Sequence, residues 1–199
     1  MSVLAKRAEQ VLPEFDAEEF ILLATPSEGR LFPDTYLLPE EYTAEELFDL
    51  LTSTFTEKLL PWQDEILAHN LSLDQIIILA SIIEREANSP ESKKMVSGIL
   101  QQRLEIGMPL QADASVEYIL DKPLKELAAD DLKVDSPYNT YLNTGLPPTP
   151  IGNPGLDAIV AVLEPTTTDY LFYITGNDGE FYYAKDFDGH KLNIARYLR

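Results

Sequence analysis

The run Ile76-Ile77-Ile78-Leu79-Ala80-Ser81-Ile82-Ile83 most restricts how this chain can fold. Ser72 followed by Gln75 is a capping-box pattern just upstream of it, and predicts a helix over roughly Leu73 to Asn88. At ~100° per residue, Leu73, Ile76, Ile77, Ala80, Ile83 and Ala87 gather on one face. Ile78, Leu79 and Ile82 make most of the remaining surface apolar as well. A helix apolar nearly all round is buried, so the other elements are expected to pack around this one. The run is far short of the ~18–20 apolar residues that span a bilayer.

Glu84 falls about 50° from the centre of the apolar face, whereas Arg85 and Glu86 project well away from it. A carboxylate on the stripe of a buried helix is costly unless it is paired or protonated. Desolvation raises its pKa, and a carboxyl group still protonated near neutral pH is what a general acid requires. The structural alternative is an ion pair between Glu84 and a Lys or Arg, or a side chain turned outward at the helix end.

The remaining elements follow from caps and breakers. Val3, Leu4, Ala8, Val11 and Leu12 have helical spacing, and Asp16 with Glu19 opens a short helix ending at Ala24. Leu31 to Leu38 is extended and reads as a strand. Thr43 with Glu46 caps a long amphipathic helix that Pro61 ends or kinks. Ser89-Pro90 starts another, which Gly107 closes. Short helices are expected from Asp113 to Leu120, from Pro123 to Ala129 and from Pro154 to Leu163. Tyr170 to Thr175 and Glu180 to Ala184, joined by Gly176-Asn177-Asp178-Gly179, read as a hairpin, and Asp188 as the cap of a last helix. Helices with a few strands and no βαβ rhythm give an α+β class, several helices packed with a small, mostly antiparallel sheet.

Residues 135–155 hold five prolines and three glycines and read as an ordered loop. Its first part, Asp135-Ser136-Pro137-Tyr138-Asn139-Thr140-Tyr141, interleaves aromatic rings with amides and hydroxyls. Sugars are recognised in this way, by ring faces against CH groups and by amides to hydroxyls. The alternative is a surface loop closed by its own Asn and Thr side chains. Gln111 and Asp113, taken alone, read as helix capping.

Composition removes several function classes. The formal charge of −19 repels phosphate backbones and anionic membrane surfaces, so no nucleic-acid partner is expected. With no Cys and only His69 and His190, thiolate or multi-His metal sites are out of reach. No Gly-x-Ser-x-Gly elbow and no phosphate-binding Gly-rich loop occur. The lysines stand in polar stretches, which disfavours a pyridoxal cofactor. No cofactor and no metal are expected. Carboxylate chemistry or a binding module remains. No signal-peptide pattern opens the chain, so it is expected to be cytosolic or cut from something longer.

Several motifs then resemble one family in order along the chain. They are Glu28-Gly29-Arg30-Leu31-Phe32-Pro33-Asp34-Thr35-Tyr36, Leu79-Ala80-Ser81-Ile82-Ile83-Glu84-Arg85-Glu86, Arg103-Leu104 with Gly107-Met108-Pro109-Leu110-Gln111-Ala112-Asp113, Ser136-Pro137-Tyr138-Asn139-Thr140-Tyr141, Gly145-Leu146-Pro147-Pro148 and Asn153-Pro154-Gly155, with His190 and Asn193 before Tyr197-Leu198 near the end. Together they resemble the endolytic murein transglycosylases, the YceG-like (MltG) family. The resemblance implies a lytic transglycosylase that cuts the β-1,4 bond between N-acetylmuramic acid and N-acetylglucosamine in nascent peptidoglycan, leaves a 1,6-anhydro-muramyl end and terminates strand growth. It maps the catalytic role onto Glu84, the first Glu of the Glu-x-Glu pair, and makes Glu86 supporting or structural. It places Glu28, Gln111, Asp113, Tyr138, Asn139, Thr140 and Tyr141 in substrate binding. Its partners would be peptidoglycan strands and, beside them, the penicillin-binding polymerases. Ordinary glycosidases need two carboxyl groups; here the substrate's own C6 hydroxyl would be the nucleophile.

Family members usually carry a cytoplasmic tail, one membrane helix and a LysM-like subdomain. On that basis residues 1–25 are expected to end such a subdomain or form a linker, and residues 26–199 to be the catalytic domain. The native protein would be a single-pass membrane protein with this domain outside the cytoplasm. The competing expectation is a non-catalytic, peptidoglycan-binding or scaffold module of the wall-synthesis machinery.

Overall fold

The structure is a computed structural model, and it describes residues 2–123 and 126–198. Its helices are α1 (Ser2–Glu9), α2 (Ala17–Ala24), α3 (Ala44–Leu59), α4 (Gln63–Ala68), α5 (Leu73–Glu86), α6 (Pro90–Glu105), α7 (Asp113–Leu120), α8 (Leu156–Leu163) and α9 (Phe187–Tyr197). Strands β1 (Phe172–Thr175) and β2 (Phe181–Ala184) form an antiparallel pair in which Tyr173 faces Tyr183 and Thr175 faces Phe181. The class is α+β, with helices dominating.

Helix α5 is the hub. All eight residues from Ile76 to Ile83 are buried, and α6 and α8 pack against it. Each buried isoleucine contributes about 1.5–3 kcal/mol of apolar transfer, so this helix anchors the larger core, which also includes Phe55, Val96, Leu100, Leu110, Ile159 and Val162. A second apolar cluster joins α1 and α2 to the first half of α3 through Ala5, Ala8, Phe20, Leu47 and Leu51. No single described helix is long and apolar enough to cross a membrane.

Most caps act as the sequence suggests. Thr43 and Glu46 form a capping box, as do Ser72 and Gln75, and Asp16 accepts the amides of Glu18 and Glu19. Gly107 closes α6 at φ +68°. Two caps sit elsewhere: Asp113 is the first residue of α7 behind Ala112, and Asp186 rather than Asp188 caps α9. Residues 33–39 form no regular element and pair with no strand among the described residues; Pro33 and Pro39 lack the amide hydrogen that a ladder needs. The helix expected over 123–129 falls partly on residues outside those described.

The proline-rich loop is fastened from below. Ser81, buried on α5, accepts the Ile151 amide at 3.0 Å. Asn153 Oδ1 accepts the Gly29 and Leu31 amides at 2.7 and 3.2 Å. Gly29 has φ +93°, and a Cβ there would lie 2.5 Å from Pro150 Cγ, so only glycine fits. These bonds lay the loop across α5 and fix the walls of the clefts beside it.

Candidate active site

The end of α5 carries both glutamates of the Glu-x-Glu pair, and the surroundings separate them. Glu84 is 34% exposed and its Oε2 accepts from Lys93 Nζ at 2.9 Å and from the Gly155 amide at 3.2 Å. It ties α5 to α6 and to the start of α8. This is the ion pair that the sequence left open as the structural alternative. The expectation of a desolvated, unpaired Glu84 is corrected: Lys93, from the next helix, reaches it.

Glu86 is the group that burial perturbs. The wheel turned it away from the apolar face, but β1 and α7 close over it. Tyr173, on β1, donates its hydroxyl to Glu86 Oε2 at 2.9 Å, and the Ala114 amide in the first turn of α7 donates to Oε1 at 3.3 Å. Burial pushes the Glu86 carboxyl up to about 6, and the Asp113 charge adds to the rise. The two hydrogen bonds and the Arg103 charge hold the rise in check. In turn, burial and the charge of Glu86 lift the Tyr173 hydroxyl well above its ordinary pKa, so it remains a donor.

Glu86 opens on a cleft of about 520 Å³ whose lining includes Arg103, Gln111, Asp113, Tyr141, Tyr173 and His190. Arg103 is buried and donates to the carbonyls of Leu171 at 2.7 Å and Leu110 at 2.5 Å. It bolts the end of α6 to the residue just before β1 and sets a fixed positive charge near Glu86. His190, on α9, lies against Phe172 with ring centroids 5.2 Å apart, and its buried Nδ1 has no hydrogen-bond partner among the described residues. Burial and the Arg103 charge lower its pKa, so the ring is neutral at pH 7.

The other expected binding residues divide into three groups. Gln111, Asp113 and Tyr141 reach the cleft; Tyr141 donates its hydroxyl to Asp113 Oδ1. Gln111 sits at φ +51°, a conformation that its amide bond to the Thr140 carbonyl at 3.0 Å holds in place. Asn139 and Thr140 are buried and face inward. Asn139 donates to the carbonyls of Leu132 and Val134 and accepts the Tyr141 amide at 2.9 Å. Thr140 Oγ1 accepts the Ala112 amide at 2.9 Å and meets the Ser115 hydroxyl. Their hydrogen bonds are spent within the protein, where they shape the loop that presents Tyr141. Tyr138 and Glu28 lie apart from the Glu86 cleft, around Tyr118: Tyr118 donates to Glu28 Oε2 at 2.9 Å, and its ring stands 5.3 Å from that of Tyr138.

Tyr173, Arg103 and His190 complete the cleft; Arg103 and His190 stand among the family motifs without a role assigned to them, and nothing in the sequence pointed to Tyr173. They come from α6, β1 and α9, and only the folded hairpin brings Tyr173 to a helix 87 residues upstream. Among the described residues no three His, Cys, Asp or Glu side chains gather as metal ligands.

Comparison with known proteins agrees with this architecture. An endolytic murein transglycosylase of Streptococcus pneumoniae is 35% identical over 86% of this chain and 32% of its own length. One of Bacillus subtilis is 33% identical over 87% of this chain and 48% of its own. The chain thus spans a third to a half of these curated relatives. A crystal structure of a yceG-like protein from Listeria monocytogenes superposes with a TM-score of 0.79 at 30% identity, covering 89% of this chain and 64% of that one. The YceG-like family matches residues 2–196, and the chain belongs to that family.

Proposed function

We propose that this chain is the catalytic part of a peptidoglycan lytic transglycosylase and that Glu86 is its acid/base residue. The observation that carries the assignment is a carboxyl group held at about 6, inside a cleft that also presents Gln111, Asp113 and Tyr141. A general acid works best with a pKa near the operating pH. The names of the relatives, endolytic murein transglycosylases, supply the substrate class.

The reaction then needs one carboxyl group. Protonated Glu86 gives its proton to the glycosidic oxygen that leaves C1 of the N-acetylmuramyl unit. The C1–O bond breaks with its electron pair moving to that oxygen, and positive charge develops at C1. The C6 hydroxyl of the same sugar attacks C1 while the Glu86 carboxylate takes its proton. The products are a free 4-hydroxyl on N-acetylglucosamine and a 1,6-anhydro ring, with no water consumed and Glu86 again protonated. Intramolecular attack gains from proximity. Tyr141, fixed by Asp113, and the Gln111 side chain are placed to hold the N-acetyl and hydroxyl groups.

The family resemblance gave this role to Glu84. Its bonds to Lys93 and Gly155 support a fastening role instead. Mass spectrometry of uncrosslinked glycan strands after incubation with the unmodified chain, Glu86→Gln and Glu84→Gln tests both points. New 1,6-anhydro ends with the unmodified chain and with Glu84→Gln, but not with Glu86→Gln, are expected. Loss of cleavage only in a folded Glu84→Gln variant would return the role to Glu84. Reducing ends without the anhydro mass would make the enzyme a hydrolase. Binding without cleavage by the full-length protein would make it a scaffold module. In the cell we place the domain outside the membrane, on a single-pass anchor beside penicillin-binding polymerases, with residues 1–25 leading from a LysM-like unit into the catalytic domain at residues 26–199. Strand termination follows from cutting nascent chains there.

A further inference from the structure

The Glu86 cleft does not end at its rim. On its far side Arg85 and Glu117 form an ion pair at 2.7 Å that joins α5 to α7, and the same two residues line a second cleft of about 790 Å³. Glu28, Tyr118 and Asn153 line that second cleft as well. Glu28 and Tyr118 in turn border a third hollow, in which the Tyr118 and Tyr138 rings stand side by side, centroids 5.3 Å apart. Helix α7 runs along the whole series: Asp113 is in the first cleft, Glu117 on the saddle and Asp121 in the second. Eight residues of helix cover ~12 Å, more than one pyranose ring.

Building on the transglycosylase reading, we propose that this series is one groove, and that the glycan strand leaving the Glu86 cleft crosses the Arg85–Glu117 saddle into a second sugar-binding site centred on Tyr118. Three features fit that ligand. The half-buried Tyr118 ring, backed by Tyr138, borders both hollows and offers a face for the CH side of a sugar. The Tyr118–Glu28 hydrogen bond leaves carboxylate lone pairs free for sugar hydroxyls or an N-acetyl amide. The second cleft is also locally balanced, with Arg7, Arg85 and Lys122 against Glu28, Glu117 and Asp121, in a chain whose formal charge is −19. A strand bearing lactyl or peptide carboxylates meets less repulsion along this path than over most of the surface. An enzyme that cuts within a strand must hold sugar on both sides of the cut, and a groove longer than the reacting disaccharide does so.

The test is equilibrium binding of uncrosslinked glycan strands by calorimetry. The protein is Glu86→Gln, which removes turnover, with and without Tyr118→Ala. A second added change, Arg7→Glu, lies at an exposed position of α1 and leaves the core untouched. Long strands are expected to bind more tightly than a tetrasaccharide. Each added change should weaken long-strand binding by about tenfold while tetrasaccharide affinity stays the same. Equal affinity for long and short strands, an unchanged long-strand affinity in both variants, or no binding of either ligand would overturn the groove. The anhydro-product assay runs alongside. Tyr118-dependent long-strand binding without anhydro products would reject the reaction and keep the groove. Anhydro products without a length dependence would do the reverse.

Discussion

Glu86 joins chemistry to stability in one side chain. As the proposed acid it must carry a proton, so kcat/KM is expected to fall as pH rises through about 6. The Tyr173 hydroxyl stabilises the ionised form and lowers the pKa. Tyr173→Phe should therefore move that limb of the pH–rate profile upward, whereas a purely structural tyrosine would lower activity at every pH alike. The same shift has a stability consequence of opposite sense to the usual salt-bridged carboxylate. The native state binds this proton more tightly than the unfolded chain. Stability is thus lost as pH rises from about 4.5 to about 6, and up to about 2 kcal/mol is missing above that. Glu86→Gln should melt at a higher temperature than the unmodified chain at pH 7, with the difference vanishing near pH 4; calorimetric melts across that range check it. Sequence reading placed the buried acid two residues too early. A helical wheel reports the apolar face of its own helix, and it identified α5 correctly as central. It carries no trace of Lys93, which pairs Glu84 from the next helix, or of Tyr173, which covers Glu86 from the hairpin.

At the scale of elements, the loop ahead of Tyr141 behaves as a small internal framework. Thr140→Val removes the acceptor of the buried Ala112 amide and is expected to cost about 1–3 kcal/mol in urea unfolding. It should also reduce kcat/KM, because Gln111 and Tyr141 hang from the same turn. Helix α6 approaches the segment after α8 so closely that a Cβ on Gly98 would lie 2.1 Å from the Thr166 carbonyl oxygen. Gly98→Ala should lose ~1–3 kcal/mol despite its better helix propensity, since overpacking outweighs propensity there. Local signals located these elements well: the Thr43 and Ser72 capping boxes, the Ser89-Pro90 start and the Gly176–Gly179 hairpin turn all stand where their residues predict. The stretch from Leu31 to Leu38 failed as a strand because β structure needs a partner, which local sequence does not supply. Asn139 and Thr140 had the composition of sugar ligands yet spend their hydrogen bonds on the backbone, the alternative the loop's turn chemistry also allowed.

For the whole molecule, charge sets how substrate arrives. With the proposed substrate, a chain of formal charge −19 meeting strands that carry carboxylates is slowed by repulsion, and the screening length is ~30 Å at 0.01 M salt but ~8 Å at 0.15 M. Raising salt across that range should lower the apparent KM for glycan strands with little change in kcat; an enzyme that used a basic patch would respond in the opposite direction. The placement of Tyr173 bears on timing as well. A ribosome makes α5 long before it makes β1, and α9, which carries His190, follows β1. Until the hairpin has emerged and docked, Glu86 has no Tyr173 over it and lacks the part of its burial that β1 supplies. The proposed proton donor is thus completed only when a tyrosine 87 residues further along the chain has been made and docked.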